Sequence, residues 1–145
     1  MTSGIGIDLV EVPRIEALIQ KWDGAFLQRV YTEKEITYCR QRGRPAIHFA
    51  ARFAVKEAFL KALGMGLGMG IRLRDIETIN TDDGRPYIHP HGEAEILLEN
   101  RAIKNIQVSI THTKGYAVAV VIVEHAQENF GEGLTPEKEG HAAKI

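Results

Sequence analysis

The stretch AIHFAARFAVKEAFLKALG, residues 46–64, decides how the rest of the chain is read. Its apolar residues leave no wide polar face, so it predicts a helix from Ala46 to Leu63 that is hydrophobic on most sides and lies in the core. Gly64 closes it. The charges of this helix fall in two stripes. At about 100° per residue, His48, Arg52 and Lys56 recur at i, i+4 and i+8, and this stripe is expected to face solvent. Glu57 and Lys61 form a second stripe, well over a quarter turn away, among Ala46, Ala50, Phe53 and Ala54. A carboxylate and an ammonium among small apolar side chains are costly to bury unless paired or bound. Helix geometry leaves two readings open: a self-satisfied i, i+4 ion pair, or a groove in which the two charges serve a ligand.

Upstream, GIGIDLV at 4–10 is short and β-branched and reads as a first strand. Asp8 is a poor residue for a strand interior, so it either caps a turn or serves a ligand. Two carboxylates on different elements, beside a lysine and an arginine, resemble the usual way Mg²⁺ is held. That ion takes one or two carboxylates and completes its shell with waters and substrate phosphates, while Lys and Arg neutralise the remaining phosphate charge. Pro13 suits a first helical turn, and Ile15, Leu18, Ile19 and Trp22 recur at helical spacing up to Gly24. Arg14 and Lys21, seven apart, share a face away from most of that stripe. Thr32 before Glu33 and Glu35 marks the capped start of a short helix within 26–41, and Gly43–Pro45 break it.

Downstream, GMGLGMG at 64–70 is a flexible loop that matches neither a Walker A sequence nor GxGxxG after a strand. Ile71–Thr81 and RPYIHP at 85–90 read as paired strands about the DDG turn at 82–84. Residues 93–102 form a short amphipathic helix. Ile106, Val108 and Ile110 alternate along a strand that ends at His112, Lys114–Gly115 turn it, and AVAVVIV at 117–123 is a buried strand. Helices and strands interleave without a regular βαβ rhythm. An α+β fold follows, with a largely antiparallel sheet packed against the long buried helix. Residues 1–124 make one domain, and 125–145 form a polar tail rich in Glu, Lys and Gly.

Eighteen basic against nineteen acidic residues give a net charge of −1, which argues against a general nucleic-acid or membrane-surface binder. The single cysteine, Cys39, excludes an intramolecular disulfide, fits a reducing cytosolic compartment and reads as a buried structural thiol. No run is long enough to cross a bilayer and no signal peptide opens the chain. HExxH, paired Cys ligands and GxSxG are all missing, so zinc hydrolysis and serine triads lack support.

GIDLVEVPRIE at 6–16, FAVKEAFLKA at 53–62 and SITH at 109–112 resemble the three signature stretches of the 4′-phosphopantetheinyl transferases. FLQRVYTEKEITYC at 26–39 and GRP at 84–86 are similar to the short bacterial type, the holo-[acyl-carrier-protein] synthases. The resemblance spans residues 4–123 and implies the 4′-phosphopantetheinyl transferase-like fold. It also implies a reaction in which coenzyme A donates 4′-phosphopantetheine to a serine of apo-acyl carrier protein, leaving adenosine 3′,5′-bisphosphate. On this resemblance Asp8 and Glu57 are the Mg²⁺ ligands, and Glu57, Lys61 and His112 carry the chemistry. Lys61 lies at the pyrophosphate and His112 near the coenzyme phosphates. Arg52, Lys56, Gly64 and Pro86 bind the coenzyme, and Arg14 and Lys21 meet acidic residues of the carrier protein. Glu57, a metal-bound water and Lys61 all qualify as the base. The family is typically homotrimeric, with sites between subunits. Met65 departs from the small hydroxyl residue often found there, and the tail lies beyond the pattern.

Overall fold

The computed structural model of the chain describes residues 2–66 and 69–126. Strand β1 (Thr2–Glu11) is followed by helices α1 (Val12–Val30), α2 (Glu33–Arg40) and α3 (Pro45–Ala62). Then come the hairpin β2 (Ile76–Asn80) and β3 (Pro86–Pro90), helix α4 (Gly92–Asn100), and strands β4 (Ile103–His112) and β5 (Tyr116–His125). Two antiparallel sheets result, one of order β1-β5-β4 and one of β2 with β3. The α+β class and the antiparallel pairing agree with the sequence reading. The expected strand 71–81 is shorter than predicted, because Leu73–Asp75 form a 3₁₀ turn and pairing begins only at Ile76. The expected polar tail falls, from position 127 onward, outside the described residues, as do positions 67 and 68 of the glycine loop.

Helix α3 packs chiefly against β1 and β5. Alternation along β5 sends Ala117, Ala119, Val121 and Val123 to the buried side, where they meet Ala50, Ala54, Ala58 and Phe59 of α3 in one core cluster. Glycine explains how closely β1 approaches. A Cβ on Gly4 would lie 1.9 Å from the carbonyl oxygen of Ala62, and one on Gly6 would lie 1.9 Å from that of Ala58. Both are impossible contacts, so only glycine lets the strand rest on the helix backbone. Asp8 follows at the next inward position of the strand and is thereby carried to the Glu57–Lys61 side of α3.

The stripe expected to face solvent does not do so. Arg52 is 3% exposed and Lys56 fully buried. The reason is α2, whose Glu35 is also fully buried. Glu35 Oε1 accepts from Lys56 Nζ at 2.7 Å, and Oε2 accepts from the Thr78 backbone N–H at 3.2 Å. The same Glu35 completes a capping box with Thr32, so the predicted cap of α2 forms and its acid doubles as the counter-ion of α3. Lys56 gives its other hydrogen bonds to the Leu73 and Ile76 carbonyls. Cys39 is buried as expected. Burial pushes its thiol up to about 12, which leaves it without a nucleophilic thiolate at neutral pH.

Candidate active site

Two clusters of polar and titratable side chains sit on different faces of α3. The first joins Asp8, Glu57, Lys61 and Arg14. Lys61 Nζ lies 3.0 Å from Asp8 Oδ1 and 3.2 Å from the Ile7 carbonyl. The i, i+4 pairing of Glu57 with Lys61 therefore gives way to a bridge between α3 and β1. Glu57 is held above the usual carboxylate range, first by burial and then by the Asp8 charge, with Lys61 and Arg14 acting in the opposite sense. Burial and the neighbouring Asp8 charge both disfavour its ionised form. Among the described residues no three His, Cys, Asp or Glu side chains gather to cage a metal by themselves. A two-carboxylate set fits Mg²⁺, which keeps open positions for waters and phosphate oxygens.

Gly64 lies just beyond Lys61, at the end of α3. Its φ of 68° is the left-handed conformation that ends the helix, and its N–H donates to the Lys61 carbonyl. Lys61 and Gly64 share a cleft of about 410 Å³ with Ser3, Gly4 and Arg101, and Arg101 donates to the Leu63 carbonyl at 2.6 Å. Arg14 and Lys21 are both exposed on α1. The helix keeps its phase between them and is interrupted only afterwards, at Asp23 (φ 41°, ψ −121°).

The second cluster joins Tyr38, Arg42, His48, Arg52 and His112. The Arg42 and Arg52 guanidiniums lie 4.1 and 3.9 Å from the Tyr38 ring centre. His48 meets Tyr38 edge-on at 6.1 Å and His112 at 5.4 Å. Burial lowers the His48 pKa, and His112, Arg42 and Arg52 lower it further. Arg52 also donates to the Asn80 side chain at 2.8 Å, and Asn80 in turn donates to the Gly84 carbonyl. This ties the cluster to the hairpin that carries Pro86, which lines a separate cleft of about 410 Å³ beside β4. Tyr38, Arg42 and Asn80 escaped the sequence reading, and His48 entered it only as part of the stripe expected to face solvent. Their partners lie on other elements, and no spacing along the chain announces them.

Lys56 does not join either cluster. Breaking a buried pair such as Lys56–Glu35 costs about 3–5 kcal/mol, so its ammonium is a structural group rather than one offered to a ligand. One further feature belongs to the sheet. On its outer side Ile5, Ile7 and Leu9 are 65%, 60% and 61% exposed, and they stand opposite Ile122, Val120 and Val118 of β5.

The strand-borne Asp8, the helix-borne Glu57 and Lys61, and His112 closing β4 all lie within the stretch that one family model covers. Residues 4–121 match the model of the 4′-phosphopantetheinyl transferase superfamily. The chain belongs to this family. A holo-[acyl-carrier-protein] synthase of Syntrophus aciditrophicus is 52% identical over 124 residues, covering 86% of this chain and 97% of its own. Among solved structures, the holo-[acyl-carrier-protein] synthase of Neisseria meningitidis aligns with a TM-score of 0.79 at 33% identity, over 86% of this chain and 99% of that one. That of Helicobacter pylori, solved in complex with coenzyme A, aligns with a TM-score of 0.74 at 33% identity, over 83% and 99%. The phosphopantetheinyl transferase fold expected from the sequence is the fold of the chain. No helix among its described residues is long and apolar enough to cross a membrane.

Proposed function

We propose that this phosphopantetheinyl transferase moves 4′-phosphopantetheine from coenzyme A to a serine of apo-acyl carrier protein, with Mg²⁺ held by Asp8 and Glu57. The observation that carries the reading is the Asp8–Glu57–Lys61 arrangement within a family match that spans the domain. The phosphate that stays with pantetheine is the one attacked. The serine oxygen bonds to its phosphorus, the bond to the second phosphate breaks, and adenosine 3′,5′-bisphosphate departs. Bound Mg²⁺ supplies Lewis-acid neutralisation of the pyrophosphate. Lys61, fixed by Asp8, stands where charge builds on the departing phosphate, and such transfers gain most from positioning and charge neutralisation. The Glu57 carboxylate takes up the serine proton, directly or through a water. Arg14 and Lys21 present a basic face to the carrier. Arg52 and His112 bind the nucleotide end of the coenzyme, with Gly64 and Pro86 giving backbone room; Lys56 supports them from the core. A buried, unpaired Cys39 fits a cytoplasmic setting.

The homotrimer is part of the same reading. Arg52 and Glu57 stand about 140° apart around α3, so one coenzyme cannot bridge both clusters of a single copy without crossing the helix. A neighbour supplying the second cluster solves this. The exposed apolar strip of Ile5, Ile7 and Leu9 is the surface such copies would share, since solvent-exposed patches of this kind mark interaction sites.

The test follows adenosine 3′,5′-bisphosphate. Its release from coenzyme A should require both Mg²⁺ and apo-carrier, and should stop when the acceptor serine is replaced by alanine. Release of phosphate or nucleotide without an acceptor would make the protein a metal-dependent phosphohydrolase instead.

A further inference from the structure

We propose that Tyr38 is a positioning residue that holds Arg42 and Arg52 for the ribose 3′-phosphate of coenzyme A, and so sets the preference for coenzyme A over its 3′-dephospho form. The inference rests on the transferase reading above and adds to it a residue that contacts no reacting atom.

The geometry begins with the ring. Two guanidiniums about 4 Å from one ring centre would collide and repel on a single face, so the ring lies between them. Each cation gains from the π face, and the ring separates two like charges that would otherwise drive each other apart. Its edge braces His48, which faces His112. Four basic groups from the loop after α2, from α3 and from β4 thus converge on one place.

Little answers their charge. Glu35 is the nearby carboxylate, 4.0 Å from Arg52 Nε, yet it already serves Lys56 at 2.7 Å. Arg52 Nε is buried and has no hydrogen-bond partner among the described residues. The His48 pKa is lowered first by burial, and the three neighbouring basic groups His112, Arg42 and Arg52 push it the same way. A site of this kind takes a dianion that comes without its own metal. Coenzyme A carries two phosphate groupings. The pyrophosphate suits the carboxylate-bearing cluster of Asp8 and Glu57, where a metal mediates. The 3′-phosphate monoester suits the carboxylate-poor cluster, where guanidiniums meet it directly. The Tyr38 hydroxyl makes no hydrogen bond among the described residues, so the ring rather than the phenol does the holding.

The experiment compares KM for coenzyme A and for 3′-dephospho-coenzyme A in the wild type, Tyr38→Leu and Tyr38→Phe. Tyr38→Leu should raise the coenzyme A KM about tenfold, leave the dephospho KM and the carrier KM within about twofold, and spare kcat. Tyr38→Phe should keep the wild-type ratio. Arg42→Gln, an exposed change that does not threaten folding, should reproduce the selective loss. Equal rises in both coenzyme KM values, or impairment of Tyr38→Phe to the level of Tyr38→Leu, would overturn the proposal while leaving the transferase reading intact. Absence of any transfer by the wild type would overturn both.

Discussion

Glu57 is the residue whose setting says most about chemistry. Its carboxyl is held up by burial and by Asp8, so the folded protein binds this proton more tightly than the unfolded chain does. Ionising it therefore lowers stability as pH rises through the raised pKa. Glu57→Gln should relieve that strain, melting slightly higher than the wild type at neutral pH in calorimetry while losing most transferase activity. Near-normal turnover would return Glu57 to a structural role. Metal binding needs the carboxylate form, so the apparent Mg²⁺ affinity should fall as pH is lowered toward the raised Glu57 pKa; magnesium titrations of activity at several pH values would read this, and a flat dependence would remove Glu57 from the ligand set. Arg14 makes a different prediction. Arg14→Ala should mainly raise the carrier KM, and added salt should weaken the same step less in the variant than in the wild type. Unchanged carrier KM and salt response would make the Arg14 face ordinary surface.

At the scale of elements, the site depends on how closely β1 lies on α3. The Cβ added by Gly6→Ala would meet the Ala58 carbonyl at 1.9 Å, a backbone atom that cannot move aside cheaply. The strand must shift, and Asp8 shifts with it. The variant should lose stability by about 1–3 kcal/mol, as overpacking does, and lose activity beyond what the unfolded fraction explains. Urea unfolding beside an activity assay would measure both, and a stable, active variant would contradict the close approach. This scale is also where the sequence was least legible. The long helix, the capping box at Thr32 and the closing hairpin could be read from spacing, because each is a local pattern. The phase of α3 could not. The i, i+4, i+8 run of His48, Arg52 and Lys56 looks like a solvated stripe, and only Glu35, 21 residues from Lys56, turns it into a buried one. Likewise Glu57 and Lys61 have the spacing of a helix pair, yet Lys61 reaches across 53 positions to Asp8. Tyr38 and Arg42 had no chain signal, and His48 shows only as part of that stripe, since their contacts exist only once α2 folds onto α3.

At the scale of the whole molecule, the proposed homotrimer rests on two clusters about 140° apart around α3 and on the exposed apolar strip of β1. Ile5→Glu, on that face and opposite Ile122, should yield a folded monomer by light scattering that has lost most activity. A trimer that persists with full turnover would place the interface elsewhere. The central claim is transfer itself. Purified protein, coenzyme A, Mg²⁺ and apo-acyl carrier protein are combined, and the intact mass of the carrier is recorded. The account predicts a gain of one 4′-phosphopantetheine on the acceptor serine, abolished by chelation of the metal; a carrier of unchanged mass, with several carriers tried, would contradict it.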